Sequence, residues 1–433
     1  MLFDKLNVLI ETKRKERITL LVVSLVVFTI QLLTLRPPVG IGEPYWIARY
    51  LAAGQGFSYA YPFDLAVVAT CYIPPLYVWF HAAIIELGGG LIISQIAGLV
   101  FFHIANYYFY RFFRRITSPG IALAGFIALA FYVPLWLLAQ KPDPDGLNLL
   151  LLALTILFLD DALERPRKAV WGILGILFGV QILVRPDILM GICFFGIWLL
   201  AYSAKGKKRK ENFIGYCSAV GIALIMVLPW TIRNYNTFGS FVLVSANSGF
   251  NFYMGNNPQA TGEFQQGPPT SESVAIDSAR TQYFHNHPSH VERDSYLFQV
   301  GKGWILAHPA QAVKLWLKKF YFHWWQRDSA GGDVGAAQWM MTGYKFVSAF
   351  LLIFGFYGLF SLKSKAKRAL LITLFLYSTA ISVIFFTQSR HRAIKVDPYL
   401  VTLSIIGIDA AVKKLKETST KTISANDPPQ RVS

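Results

Sequence analysis

Five stretches of the sequence place ionisable side chains just beyond the ends of long apolar runs. They hold Glu43, Arg49 and Asp64; Lys141, Asp143 and Asp145; Arg185 and Asp187; Arg233; and Arg390, Arg392 and Lys395. A carboxylate at a membrane boundary is costly unless it is hydrated, paired or functional. Acids and cations gathered beside apolar walls suit a substrate with an anionic phosphate head and a lipid tail. A guanidinium grips phosphate through its planar fork, and a carboxylate within hydrogen-bond reach takes the proton of an attacking hydroxyl.

Each residue also has a plainer use. Glu43 suits a helix N-terminus, where the dipole favours acids. Asp64 reads equally as a solvated loop residue. Asp143 and Asp145 sit in a KPDPDG turn that can cap the following helix, and Asp187 can do the same after Arg185-Pro186. Arg185 and Arg233 can snorkel into the headgroup layer. His285, His287 and His290 read as surface loop, because Pro288 interrupts their spacing. Gly255-Asn256-Asn257-Pro258 is first a turn signal. The cysteines, Cys71, Cys193 and Cys217, match no metal or redox spacing.

The elements that must position these residues are membrane helices. Hydrophobic residues make up 54% of the 433 and charged residues 15%, where a soluble domain carries about 25% charged. Mean hydropathy is +0.42. The net charge of +17 does not point to nucleic acid. Its basic residues fall in short blocks at 13–17, 111–115, 165–168, 205–210, 363–368 and 413–416, the pattern of cytoplasmic anchors between spans. The basic N-terminus runs into a long apolar stretch without a small-residue cleavage site, which reads as a retained span.

Ten apolar spans are expected, at 18–35, 91–110, 121–139, 147–159, 170–184, 188–202, 213–230, 344–362, 369–386 and 398–412. Residues 72–87 are short and carry Pro74-Pro75 near their start. Read as an interfacial or re-entrant segment, they keep every basic block inside and every acid-bearing loop outside. Pro44 opens a short helix through Ala53 with Tyr45, Arg49 and Ala52 on one face. The chain then divides into an N-terminal membrane module at 1–230, whose first external loop is 36–90, and an external insert at 231–340. C-terminal membrane helices follow at 341–412, then a disordered cytoplasmic tail at 413–433. The end of the insert, 309–325, reads as an amphipathic helix with an aromatic belt, lying in the interface.

The stretches YWIARYLAAGQGFSY (45–59), CYIPPLY (71–77), RPD (185–187), PWTIRNYNTFGSFV (229–242), NSGFNFYMGNNPQATG (247–262), AHPAQAVKLWLKKFYFHWW (307–325) and SRHRAIKVDPYL (389–400) carry a resemblance. The chain resembles the GT-C superfamily of polyprenyl-phosphate-sugar-dependent glycosyltransferases. Within it, the chain looks like bacterial family 39-like proteins, related to protein O-mannosyltransferases and the lipid A aminoarabinose transferase. The resemblance implies an all-α polytopic bundle of about 10–12 transmembrane helices, with external juxtamembrane helices and one long insert. It implies an inverting transferase in the bacterial inner membrane, acting on the external side. The donor would be a polyprenyl-phosphate sugar and the acceptor a hydroxyl of a lipid, glycan or protein.

The resemblance also suggests roles for particular residues. The family's first-loop acid is matched by Glu43 as base. Relatives often carry a second acid just before it, where this chain has Gly42, so Asp64 is the fallback. Asp143 or Asp145 matches the acid of the second external loop. Arg185, Arg233 and Arg392 match the phosphate-binding cations, with Lys141, Arg49 and Tyr45 as further substrate contacts. No cofactor is implied, and no compact metal-ligand set is present. Two other functions compete: a lipid-linked sugar transporter or flippase, and a lipid-binding scaffold with a degenerate site. Transporters gather charges near the midplane, often in repeated halves, whereas these acids lie beyond the span ends.

Overall fold

The computed structural model describes residues 3–38, 42–60, 67–203, 206–264, 289–325 and 338–426. Each of the ten apolar spans falls on a helix. Five of these helices are long and apolar enough to cross a membrane. They are α1 (Lys13–Leu33), α4 (Leu91–Phe113), α7 (Asp145–Glu164), α10 (Lys207–Phe238) and α15 (Lys365–Ile384). Others are apolar but shorter: α8 (Lys168–Val184), α9 (Ile188–Tyr202) and the Lys345–Ser361 part of α14 (Gln338–Ser361). The last helix is α17 (Asp397–Asn426).

The span expected as one piece at 121–139 is broken. It forms α5 (Pro119–Ala130) and α6 (Val133–Ala139), bent by 55° and able to count together as a sixth span. Pro134 lies at the start of α6, where its missing N–H costs nothing but an unbroken helix could not continue. Residues 72–87 contain α3 (Pro75–Glu86), 12 residues opened by Pro74 in an extended conformation. At about 1.5 Å per residue α3 is too short to cross a hydrocarbon core.

Two boundaries differ from the expected divisions. Helix α10 continues through Pro229 and Trp230 to Phe238, ending at Gly239 with φ 63°. Arg233 is therefore a helical residue, not part of an insert loop. Helix α17 likewise continues from the membrane region through Asn426, where a disordered tail was expected from 413. The insert supplies α11 (Ser248–Gly255), α12 (His290–Ala307) and α13 (Pro309–Trp324). His285 and His287 lie outside the described residues.

Close backbone approach sets the level of the acid-bearing turn. A methyl added at Gly98 of α4 would lie 2.1 Å from the Ala139 carbonyl, and one at Gly146 of α7 would lie 2.8 Å from the Gly98 carbonyl. Small residues permit such contact between membrane helices. The crossing fixes Lys141–Asp145 against the middle of the bundle end. At the far end of α7, Arg115 pairs with Asp160 (3.1 Å) and Asp161 (2.8 Å), and Lys367 pairs with Glu164 (2.8 Å). The two ends of this single helix thus hold separate charge clusters.

Candidate active site

The site is built on the turn between α6 and α7, on the short α3, and on α2 (Glu43–Ala52). His81 of α3 is fully buried. Burial pulls its pKa down to about 4, so the ring is neutral and offers one donor and one acceptor. Its Nε2–H donates to the Pro142 carbonyl at 3.0 Å, because a carbonyl can only accept. That leaves Nδ1 to accept from the Ser94 hydroxyl at 2.9 Å. Tyr45 and Tyr77 meet the ring edge-on, with centroids 5.6 and 4.6 Å away. One histidine thereby ties α2, α3 and α4 to the turn that carries Asp143 and Asp145.

Glu43 is the first residue of α2 and is exposed. A methyl built on the preceding Gly42 would lie 2.9 Å from Asp143 Oδ1. The Asp143 carboxylate therefore packs against the start of α2, next to Glu43. Its pKa is pushed up to about 6, first by burial and then by the Asp145 charge, with Glu43 adding to the rise. Arg390 and Lys141 pull in the other direction. Two acids from different loops thus face two cations in one half-exposed cluster.

Behind them a buried chain of ion pairs runs into the bundle. Asp145 is 1% exposed and its Oδ1 accepts from Arg185 Nη1 at 2.6 Å. Asp187 accepts Lys395 Nζ at 2.8 Å and a hydrogen bond from the Tyr377 hydroxyl. Burial raises the Asp187 pKa, but Lys395 and Arg185 outweigh it and hold the carboxyl below its ordinary range. Lys395 lies on α16 (Ser389–Lys395), so this chain joins the α8–α9 turn to the loop before the last helix. Asp145 Oδ2 and the Tyr77 hydroxyl are buried without a hydrogen-bond partner among the described residues. Such atoms each cost about 1–3 kcal/mol.

The other expected residues go elsewhere. Arg392 is 4% exposed and is enclosed by the protein. Its Nε donates to Asp397 Oδ1 at 2.8 Å and its Nη1 to the Trp324 carbonyl and the Ser348 hydroxyl. Tyr132, at the break between α5 and α6, donates to the other Asp397 oxygen at 2.8 Å. Arg233 spends its guanidinium on the carbonyls of Thr70 (2.8 Å) and Phe57 (3.3 Å) and stacks 4.8 Å over Trp230. It fastens the β1 (Ser58–Tyr59) and β2 (Val68–Ala69) hairpin to α10. Arg49 lies exposed over Trp46, 5.3 Å from the ring. Asp64 lies outside the described residues.

Among the described residues, no group of three or more His, Cys, Asp or Glu could hold a metal ion. The 255–258 turn has a structural use. Asn256 accepts at 3.1 Å from Lys319, a buried lysine of α13 that also donates to the Val383 carbonyl.

His81 and Tyr377 escaped the sequence-derived set, and Arg390 and Lys395 entered it only as polar groups beyond a span end, without a role. Arg390 and Arg392 are two positions apart, roughly 200° around a helix, so they cannot face the same side. Which of them faces the acids depends on the packing of α16. His81 sits in an apolar run and carries no local signal at all.

Residues 72–232 match the family model described as dolichyl-phosphate-mannose-protein mannosyltransferase. The fold is similar to that of the oligosaccharyltransferase of Archaeoglobus fulgidus. Its AglB structure in complex with an inhibitory peptide and a dolichol-phosphate matches with a TM-score of 0.52 and 12% identity, over 95% of this chain and 52% of that one. The apo form matches with a TM-score of 0.53 and 13% identity, over the same shares. The chain thus spans about half the length of the solved structures it matches. No protein with a curated description matches the sequence. The chain is a helical membrane protein, with five helices long and apolar enough to cross a bilayer among the described residues, and its fold is similar to that of the archaeal enzyme.

Proposed function

We propose that the protein is an inverting glycosyltransferase that moves a sugar from a polyprenyl-phosphate donor to an acceptor hydroxyl on the outer face of a bacterial plasma membrane. The observation that carries this reading is the meeting of Asp143 with the start of α2 beside Glu43, opposite Arg390 and Lys141. The dolichol-phosphate bound to the archaeal relative is consistent with a lipid-phosphate donor.

The chemistry needs one proton acceptor and one anion stabiliser. The acceptor hydroxyl loses its proton to the Asp143 carboxylate, with Glu43 beside it to accept a hydrogen bond from the same hydroxyl. A base with a pKa near the working pH balances availability against strength, and Asp143 at about 6 meets that condition. The acceptor oxygen bonds to the anomeric carbon from the face opposite the phosphate. The bond from that carbon to the phosphate oxygen breaks, and its electron pair leaves with the lipid phosphate. Arg390 and Lys141 offset the developing charge. Asp145, Asp187, Arg185 and Lys395 hold the scaffold behind them.

Glu43→Gln and Asp143→Asn proteins, reconstituted in liposomes with polyprenyl-phosphate sugars, test this directly. Each substitution is expected to lower transfer by about 100-fold or more without loss of fold. Near-normal turnover in both would remove the acid pair from the mechanism. Movement of the donor across the bilayer without transfer would replace the reading with a flippase.

A further inference from the structure

We propose that Gly42 is a positioning residue: the absence of a side chain there lets the Asp143 carboxylate, from a different loop, close against the first turn of α2 beside Glu43. Its effect on catalysis rests on the transferase reading above; its effect on the carboxylate does not.

Glycine is not needed at position 42 for the backbone. Its φ of −72° and ψ of 163° are ordinary extended values that any residue adopts. Nor does it help the helix. Gly42 is the N-cap of α2 and makes no side-chain cap, although Ser, Thr, Asp or Asn at such a position stabilises by about 1 kcal/mol over Ala. What glycine supplies is room. A methyl at 42 would stand 2.9 Å from Asp143 Oδ1 and 3.3 Å from Pro44 Cδ, closer than a carbon and an oxygen can rest. The obstructed atom is the end of a side chain, so a larger residue displaces the carboxylate and leaves the backbone in place.

The carboxylate has reason to occupy that space. The start of α2 presents the positive end of the helix dipole, which favours a carboxylate; Pro44 has no N–H, and the Tyr45 N–H donates to the Gly42 carbonyl at 3.2 Å. The turn that carries Asp143 is held at the right level by His81 on the Pro142 carbonyl. The charged and titratable groups that act on Asp143 are Asp145, Arg390, Lys141, Glu43, Arg185 and Tyr77. A second acid beside Glu43 is thus delivered through space by the second loop, into the place a side chain at 42 would fill.

Gly42→Ala separates this role from a generic one. In detergent-solubilised full-length protein, a carbodiimide that couples to protonated carboxyls is applied across the acid-to-neutral range, and the Asp143 peptide is quantified by mass spectrometry. Half-maximal labelling of the wild type is expected at about pH 6. Gly42→Ala is expected to lower it by about one pH unit, because the displaced carboxyl leaves Glu43 and gains water. An unchanged midpoint would overturn the proposal. In the transfer assay, the variant is expected to lose about tenfold or more in kcat with donor KM within about twofold. Full activity would likewise overturn it.

If Gly42→Ala lowers stability, the same substitution in an Asp143→Ala background is expected to cost less, since the obstruction is gone and only the N-cap cost of alanine remains. An equal loss in both backgrounds would show that the residues do not interact. If the wild type transfers no sugar, the transferase reading fails, while labelling and the double variant still decide the placement.

Discussion

Asp145 and Arg185 meet at 2.6 Å between the first turn of α7 and the residue that follows α8. The carboxylate is 1% exposed, and that guanidinium is its hydrogen-bonded cation among the described residues, with the Lys395 charge also acting on it. Removing one partner of a buried pair costs about 3–5 kcal/mol because the other charge stays behind. Arg185→Ala is therefore expected to lower the melting temperature sharply, and Arg185→Ala with Asp145→Asn to recover much of the loss. Thermal unfolding in detergent reads both.

The raised Asp143 pKa makes stability and activity move in opposite directions with pH. Its folded value is about 6 against an ordinary 3.8. Between these values the folded chain keeps a proton that the unfolded chain releases. The contribution is complete below the lower value and is lost as pH rises through the upper one. Transfer, which needs the carboxylate, is expected to rise over the same window, falling about tenfold per pH unit below it. Asp143→Asn removes the stability slope, which melting curves at matched ionic strength will show.

Arg390 and Arg392 are expected to fail in different ways. Arg390 is half-buried, faces Asp143 and makes one bond to Gln388 at 2.6 Å. Arg390→Ala should leave folding near normal and reduce transfer by about tenfold or more. Arg392 joins Asp397, Trp324 and Ser348 in the interior. Arg392→Ala should lower expression and melting temperature before any assay of turnover. The reverse pattern would exchange their roles.

Arg233 acts through the hairpin it holds. Losing its bonds to the Thr70 and Phe57 carbonyls should raise hydrogen exchange across 57–60 and 67–72. Arg233→Lys should not restore protection, because a single ammonium lacks the fork that reaches two carbonyls. Unaltered exchange in Arg233→Ala would leave the residue free for a substrate role.

Much of the fold is written locally. The ten spans show as apolar runs, and the Pro-rich opening of α3 shows that it does not cross. The 55° break at Phe131–Tyr132 is marked only by Pro134, a residue that membrane helices also tolerate without breaking. The acids and cations were visible as types beyond span ends. Their pairing was not. Asp187 with Lys395 and Asp143 with Gly42 are separated by long stretches of chain, and side-chain periodicity says nothing about such contacts. Arg392 enters as a phosphate ligand only through the family resemblance, and packing shows that it is enclosed.

Helix α7 carries Asp145 at one end and Asp160, Asp161 and Glu164 toward the other. Its 20 residues make a rod about 30 Å long, pinned by salt bridges at both ends. A rod of fixed length in a thinner bilayer must lean. Leaning loads the Asp143–Asp145 turn against α2 through the link between them, the His81 bond to the Pro142 carbonyl and its edge contact with Tyr45. The thickness of the surrounding lipid therefore becomes a variable of the acid pair's geometry, set by the membrane and not by the sequence.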